Sequence, residues 1–226
     1  MEELLAMVCH ELRSPIASMR YAVRAFLGSH AQEDTKQQQL QALIERQTRN
    51  MTRLIDDLLD IARMRNDSLR LHCERLDLRA IVAHAVETLA SEIDTRGHQL
   101  TTVAPDHPLW VTGDPFRLEQ VFVNLLANAA KYTGPGGRIA IRIHVRENLG
   151  VVRICDSGSG ITPELLPHIF QLFRQAGETG SQSLAGLGIG LAIVRTLVEM
   201  HGGDVTANSP GAGQGSEFVV CLPMES

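Results

Sequence analysis

Three clusters in the chain have residue types and spacings suited to chemistry. The first is Cys9-His10-Glu11-Leu12-Arg13-Ser14-Pro15. Around it, Leu5, Val8, Leu12, Ile16, Met19, Val23 and Phe26 recur in steps of three and four, which predicts a helix over residues 2–28 with one apolar seam. With Val8 at zero, Leu12 falls at about 40° and His10 at about 200°, so the imidazole points away from the seam. A solvated surface histidine is the plainer reading of that residue alone. Glu11, however, can hold one ring nitrogen and leave the other nucleophilic. Pro15 removes the helical bond to the Glu11 carbonyl, at a cost of about 3 kcal/mol in an ordinary helix interior. A kink beside a reactive histidine is one reason to keep it.

The second cluster runs from Asp114 to Thr133 and reads as a helix over 115–131, with Asp114 as cap and Pro115 in the first turn. With Asn124 at zero, Gln120, Asn128 and Lys131 lie within about 40° of one line and Arg117 within about 20°. Leu118, Val121, Phe122, Leu125 and Ala129 occupy an adjoining face. Asparagine is a poor helix former, so two of them four apart suggest amide oxygens aimed at a hard cation, with Lys131 set to meet phosphate. A polar helix edge that merely contains asparagine is the alternative.

The third cluster is a pair of glycine runs. Asp156-Ser157-Gly158-Ser159-Gly160 ends a strand, and Gly186-Leu187-Gly188-Ile189-Gly190-Leu191 opens a helix. Glycines at a helix start let backbone N–H groups approach phosphate. A dinucleotide-binding turn also begins this way, but no strand directly precedes Gly186 and no ribose-binding acid follows at the right spacing. The segment 175–185, rich in Gly, Ser and Gln, reads as a lid over a nucleotide or as a plain surface loop.

Positioning these groups requires two kinds of architecture. A second helix is predicted from Thr35 to Arg65, with Leu40, Leu43, Ile44, Gln47, Met51, Leu54, Ile55, Leu58 and Ile61 on its seam. Two long helices and a short turn make a hairpin that cannot cover both of its seams, which predicts a homodimer closed as a four-helix bundle. Beyond Ser68, short alternating runs predict strands at Leu69–Cys73, Gln99–Val103, Arg138–Val145, Val151–Cys155, Asp204–Ala207 and Glu217–Leu222. Helices are predicted near 77–95, 115–131 and 188–201. The fold class is α+β: a dimerising helical hairpin over 1–67, then an α/β sandwich over 68–226.

Composition is that of an ordinary globular chain, with 44% hydrophobic and 21% charged residues in 226. A net charge of −5 argues against a nucleic-acid partner. No apolar run approaches the roughly 18 residues of a membrane span, so this segment is expected to be cytoplasmic and to make no membrane contact. The four cysteines show no C-x-x-C spacing and read as reduced thiols. Trp110 reads as core and His201 as part of a helix-ending turn. The helical pattern begins so close to His10 that the chain reads as a fragment.

Taken together, the clusters resemble the histidine kinase family across essentially the whole chain. Cys9 through Pro15 resembles its phosphoacceptor box, and Asn124 through Tyr132 its N box. Asp156 through Gly160 and Gly186 through Leu191 resemble its two glycine boxes. Phe170-Gln171-Leu172-Phe173 resembles its phenylalanine box. The resemblance implies a dimeric helical domain and an ATP-binding domain of the Bergerat type shared with gyrase and Hsp90. It implies that His10 accepts the γ-phosphoryl group of ATP with Glu11 as general base. Asn128 would hold Mg²⁺, with Asn124 close to metal and phosphates. Lys131 would contact phosphate and Tyr132 would stack on adenine. Asp156 would accept from the adenine amino group, and Gly158 and Gly160 would admit the ring. Gly186, Leu187, Gly188 and Gly190 would line the triphosphate, and Ser216 would close the far wall. The phosphoryl group would pass to an aspartate on a response regulator receiver domain.

The chain departs from the family pattern at two places. Ser14 stands where many members carry Thr or Asn. Gln175 stands where many carry a phosphate-reaching arginine, with Arg174 beside it. The Phe-Arg-Gln ending is similar to that of hybrid kinases, which continue into a receiver domain; anchoring of a longer protein in the inner membrane is left open. Asn124 occupies the place of a glutamate in hydrolytic relatives, which favours transfer to His10 over ATP hydrolysis. The competing readings are an ATPase of the gyrase and Hsp90 class and a nucleotide-binding dimeric module without kinase activity.

Overall fold

The computed structural model describes residues 16–24, 34–65, 69–174 and 188–225. The chain divides into two compact units, the second of which begins at Leu69. In the first, residues 16–24 (α1) and Asp34–Arg65 (α2) are helical. Thr48 Oγ1 lies 3.7 Å from Met19 Sδ, tying the two helices together, and Ala22 and Ile61 are buried. His10, Glu11 and the expected kink at Pro15 lie outside the described residues.

Among the described residues, the second unit is a mixed five-stranded sheet with three α-helices. Its elements are β1 (Glu74–Asp77), α3 (Leu78–Thr95), β2 (Gln99–Val103), β3 (Trp110–Gly113), α4 (Pro115–Tyr132), β4 (Arg138–Arg146), β5 (Leu149–Asp156), α5 (Gly190–Met200), β6 (Asp204–Asn208) and β7 (Ser216–Pro223). The sheet order is β2-β4-β5-β7-β6, and β1 and β3 form a small separate ribbon. Only β2 and β4 run parallel; the other neighbours are antiparallel.

The alternation in β4 shows why the sheet has one dry face. Ile139, Ile141 and Ile143 are buried while Arg138, Ala140 and Arg142 stay exposed, the period-two pattern of a half-buried strand. Leu118, Val121, Phe122 and Leu125 of α4 supply a helical seam to the core, joined by Ile193, Val194 and Leu197 of α5. Both α3 and α4 begin on aspartate caps. Asp77 Oδ1 accepts from Arg79 N–H at 3.0 Å and from Leu109 N–H at 3.1 Å. Burial pushes the Asp77 carboxyl up. The Arg79 guanidinium and these two N–H donors outweigh it and hold the group below its ordinary value.

Two expectations are corrected. Leu69–Cys73 is not a strand; the strand is Glu74–Asp77. Its partner β3 explains why. Glu74 pairs with Gly113, and the next residue on that side, Asp114, has already turned into the cap of α4. No ladder is left for residues 69–73, and His72 N–H goes instead to Asp114 Oδ2 at 2.9 Å. Trp110 is not core. It lies 37% exposed on β3, a strand without an expected counterpart, with the Arg75 guanidinium 4.4 Å from its ring centroid.

Candidate functional site

A cleft of about 610 Å³, counting the part open to solvent, lies within the second unit. Its lining includes Asn128 and Tyr132 from α4, Asp156 from β5, Ser159, Gly160 and Ile161 from the following loop, and Ser216 and Phe218 from β7. Leu165, Ile169, Arg174 and Leu191 complete it. The apolar members could enclose a flat ring, while Asp156 and Ser216, joined to each other, offer a polar edge. This combination suits a small ligand with one polar edge.

The polar end is built by strand pairing. Asp156 and Ser216 face each other across the β5/β7 ladder, and the Ser216 hydroxyl donates to Asp156 Oδ2. Asp156 Oδ1 accepts from Gly158 N–H at 2.8 Å. The carboxylate is thus held by a neighbouring strand and by its own loop. Cys155, one residue earlier, is a different matter. Burial, then the Glu217 carboxylate beside it, push its thiol up to about 11, so it stays protonated and inert. Cys73, Cys155 and Cys221 are all free thiols.

The glycines after Asp156 are demanded by backbone approach. A Cβ on Gly158 would meet the Tyr132 backbone, and Ser159 N–H donates to Tyr132 O at 3.0 Å. Gly160 has φ +66°, and a Cβ there would run into the Gly211 carbonyl; Gly215 has φ +73° and abuts the Asp156 carbonyl. Gly215 N–H donates to Gly158 O at 3.1 Å and Ile161 N–H to Ser209 Oγ at 2.9 Å. The loop 209–215 is therefore laid against the loop 156–161. Sequence reasoning missed this second loop, although Ser209-Pro210-Gly211-Ala212-Gly213-Gln214-Gly215 carries as dense a glycine signal as the two runs it singled out.

The asparagine stripe divides. Asn128 lines the cleft, whereas Asn124 is 3% exposed and sits against α5: a Cβ on Gly190 would lie 3.6 Å from its Oδ1. An amide oxygen is thereby set beside the first turn of a helix that has no side-chain cap. Lys131 turns to its neighbour, with Nζ donating to Tyr132 Oη at 3.1 Å and lying 4.7 Å from the ring centroid. Gly188 packs against the Arg174 backbone, and Phe173 N–H donates to Gly188 O at 3.0 Å. Gly186 and Leu187 lie outside the described residues. Of the phenylalanine box, Phe170 stands edge-on to Phe218 at 6.4 Å, with Arg195 4.7 Å from its ring centroid.

Comparison with known proteins agrees with this geometry. The family model for the histidine kinase-, DNA gyrase B- and HSP90-like ATPase matches residues 113–226, and the His Kinase A (phospho-acceptor) domain matches residues 1–67. The sensor histidine kinase TrcS of Mycobacterium tuberculosis is 39% identical over 230 residues, covering 99% of this chain and 44% of that protein. The chain thus spans less than half the length of this curated relative. Among solved structures, the mycobacterial sensor histidine kinase MprB superposes with a TM-score of 0.58 at 28% identity, over 67% of this chain and 97% of that one. The histidine kinase ThkA, solved in complex with the response regulator TrrA, shares the fold with a TM-score of 0.69 at 24% identity, over 99% of this chain and 61% of that one. With a phospho-acceptor domain at one end and this ATPase domain at the other, the chain belongs to the histidine kinase family, as its catalytic core.

Proposed function

We propose that this core transfers the γ-phosphoryl group of Mg–ATP to His10 and from there to an aspartate of a response regulator receiver domain, working as a homodimer. The observation that carries the reading is the Asp156–Ser216 pair at the end of a cleft walled by Asn128 and Tyr132. An acceptor carboxylate beside a hydroxyl, flanked by apolar side chains, suits the amino edge of adenine. The triphosphate then extends toward Asn124 and the uncapped first turn of α5, where backbone N–H groups favour an anion.

The donor set also fits Mg²⁺. Among the described residues no group of three or more His, Cys, Asp or Glu could hold a metal, so the candidates are the Asn128 and Asn124 amide oxygens. Mg²⁺ is commonly held by few protein ligands together with substrate phosphates. When bound it neutralises charge between the phosphates. The remaining work falls to the chain. Lys131 leaves Tyr132 Oη for phosphate, and Tyr132 keeps its ring against the base. Arg174, already lining the cleft, offers the positive charge that Gln175 lacks. Glu11 takes the imidazole proton as His10 attacks in line, and the leaving oxygen departs with ADP. No glutamate stands at position 124 to activate water, which disfavours hydrolysis.

No described helix is long and apolar enough to cross a membrane. A cytoplasmic position for this core is part of the same proposal. The test is incubation of the chain with γ-labelled ATP and Mg²⁺. Acid-labile, base-stable label is expected on His10 and should vanish in His10→Gln. Label that persists in that variant, or ATP turnover with no phosphohistidine, would refute the assignment.

A further inference from the structure

Helix ends leave their last four carbonyls without intrahelical donors. In α4 the last i→i−4 bond comes from the cap residue Thr133, and the helical carbonyls beyond it are those of Ala130, Lys131 and Tyr132. Thr133 N–H reaches Ala129 O at 3.1 Å, and Ser159 N–H reaches Tyr132 O at 3.0 Å. The other two are met by side chains from the segment joining α3 to β2. Ala130 O lies 3.0 Å from His98 Nε2 and 3.2 Å from Arg96 Nη1, and Lys131 O lies 3.3 Å from the same Nη1. A carbonyl only accepts, so His98 carries its proton on Nε2.

The backbone reinforces this bracket. Gly136 N–H donates to Arg96 O at 3.0 Å and Gln99 N–H to Gly137 O at 2.9 Å. His98 is 7% exposed, so its bond is not traded for water. A cation at a helix C-terminus also opposes the negative end of the macrodipole. The last two turns of α4 carry Asn128, Lys131 and Tyr132. The Tyr132 carbonyl continues, through Ser159, into the loop that follows Asp156. One guanidinium and one imidazole therefore sit behind the turn that walls one side of the cleft.

We infer that Arg96 and His98 are positioning residues for nucleotide binding, holding the end of α4 in the pose that presents Asn128, Lys131 and Tyr132 to the ligand. The inference rests on the nucleotide-binding reading above. A purely structural role predicts lost stability with affinity unchanged in the molecules that remain folded. Positioning predicts lost affinity.

The decisive measurement is ADP binding by the whole chain, alongside amide hydrogen exchange without ligand. Arg96→Ala should weaken ADP binding about tenfold, the scale of one charge-assisted hydrogen bond. It should also speed exchange at the Ser159 amide while leaving Val152 in β5 unchanged. Arg96→Lys, which keeps a donor cation, should recover most of the affinity, and His98→Gln should fall between. Asp77→Asn, at the far end of α3, is the stability control and should bind ADP as the unaltered chain does. Wild-type affinity in Arg96→Ala, or an equal loss in Asp77→Asn, would overturn the inference. If Arg96→Ala does not fold, Arg96→Lys and His98→Gln decide it by the same two readouts. If the unaltered chain fails to bind ADP, the nucleotide reading itself falls and takes the inference with it; ligand-free exchange at Ser159 still reports whether Arg96 holds the turn.

Discussion

In the α/β unit Phe122, Leu78, Leu118, Leu125 and Ile193 form a fully buried core, although Phe116 and Trp110 stay exposed outside it. The described part of the helical unit is different. Ala22 and Ile61 are buried there, but Ile55 and Leu59 of α2 are 47% and 48% exposed, and Ile16, Tyr21 and Val23 are exposed too. One unit closes its core with its own three helices, while the other presents apolar rows that need a further surface. Self-sufficiency suits a nucleotide cleft, which must keep its shape alone. An unfinished hairpin suits a part whose partner is a second copy.

That contrast can be broken most decisively at α2. Replacing Ile55 and Leu59 together with Glu should raise the dimer dissociation constant by about 100-fold or more, since each buried aliphatic side chain contributes about 1.5–3 kcal/mol. Sedimentation would register this. Trp110 is the single tryptophan and lies in the α/β unit, so its fluorescence follows that unit alone. Its unfolding transition should not move. A parallel shift would mean that the α/β unit depends on the hairpin.

A smaller effect, confined to the α/β unit, is expected at the cap of α3. Asp77→Asn keeps a capping oxygen but loses the carboxylate that pairs with the Arg79 guanidinium at 2.7 Å. It should cost less than about 1 kcal/mol, read as a slightly lower denaturant midpoint for Trp110. Because the folded carboxyl lies below its ordinary value of 3.8, its contribution is present above that value and lost as pH falls through the folded one. The variant's acid limb should be correspondingly flatter.

The smallest effect concerns His144 on the open face of the sheet. Burial, then Arg153, Arg142 and Arg146, lower this imidazole below its ordinary 6.5. The folded state thus binds fewer protons than the unfolded one. Stability is full above 6.5 and declines as pH falls below it. His144→Gln should remove part of that decline from the Trp110 transition and leave the dimer untouched.

The parts of this molecule readable from sequence are those written in local periodicity. Ile139, Ile141 and Ile143 announce β4, and the Asp114-Pro115 start announces α4. Asp156 and Ser216 were both picked out, yet their hydrogen bond is set by the β5/β7 register, which no local pattern encodes. The false strand at 69–73 failed for the same reason. Alternation says that a segment can pair, and only the early end of β3 says that this one has nothing to pair with. Trp110 misled because a large aromatic was equated with burial, when a guanidinium can cover its face instead. Arg96 and His98 gave no signal at all, since the carbonyls they serve lie more than thirty residues away.

The Asp156–Ser216 pairing has a consequence for how the base is chosen. Neighbouring strands keep a spacing of about 4.8 Å, so the two oxygens that would read a purine's amino edge are aligned before any ligand arrives. On the proposed reading, selection among nucleobases would then be a property of the resting ladder. Adenine and guanine should already be told apart at first encounter.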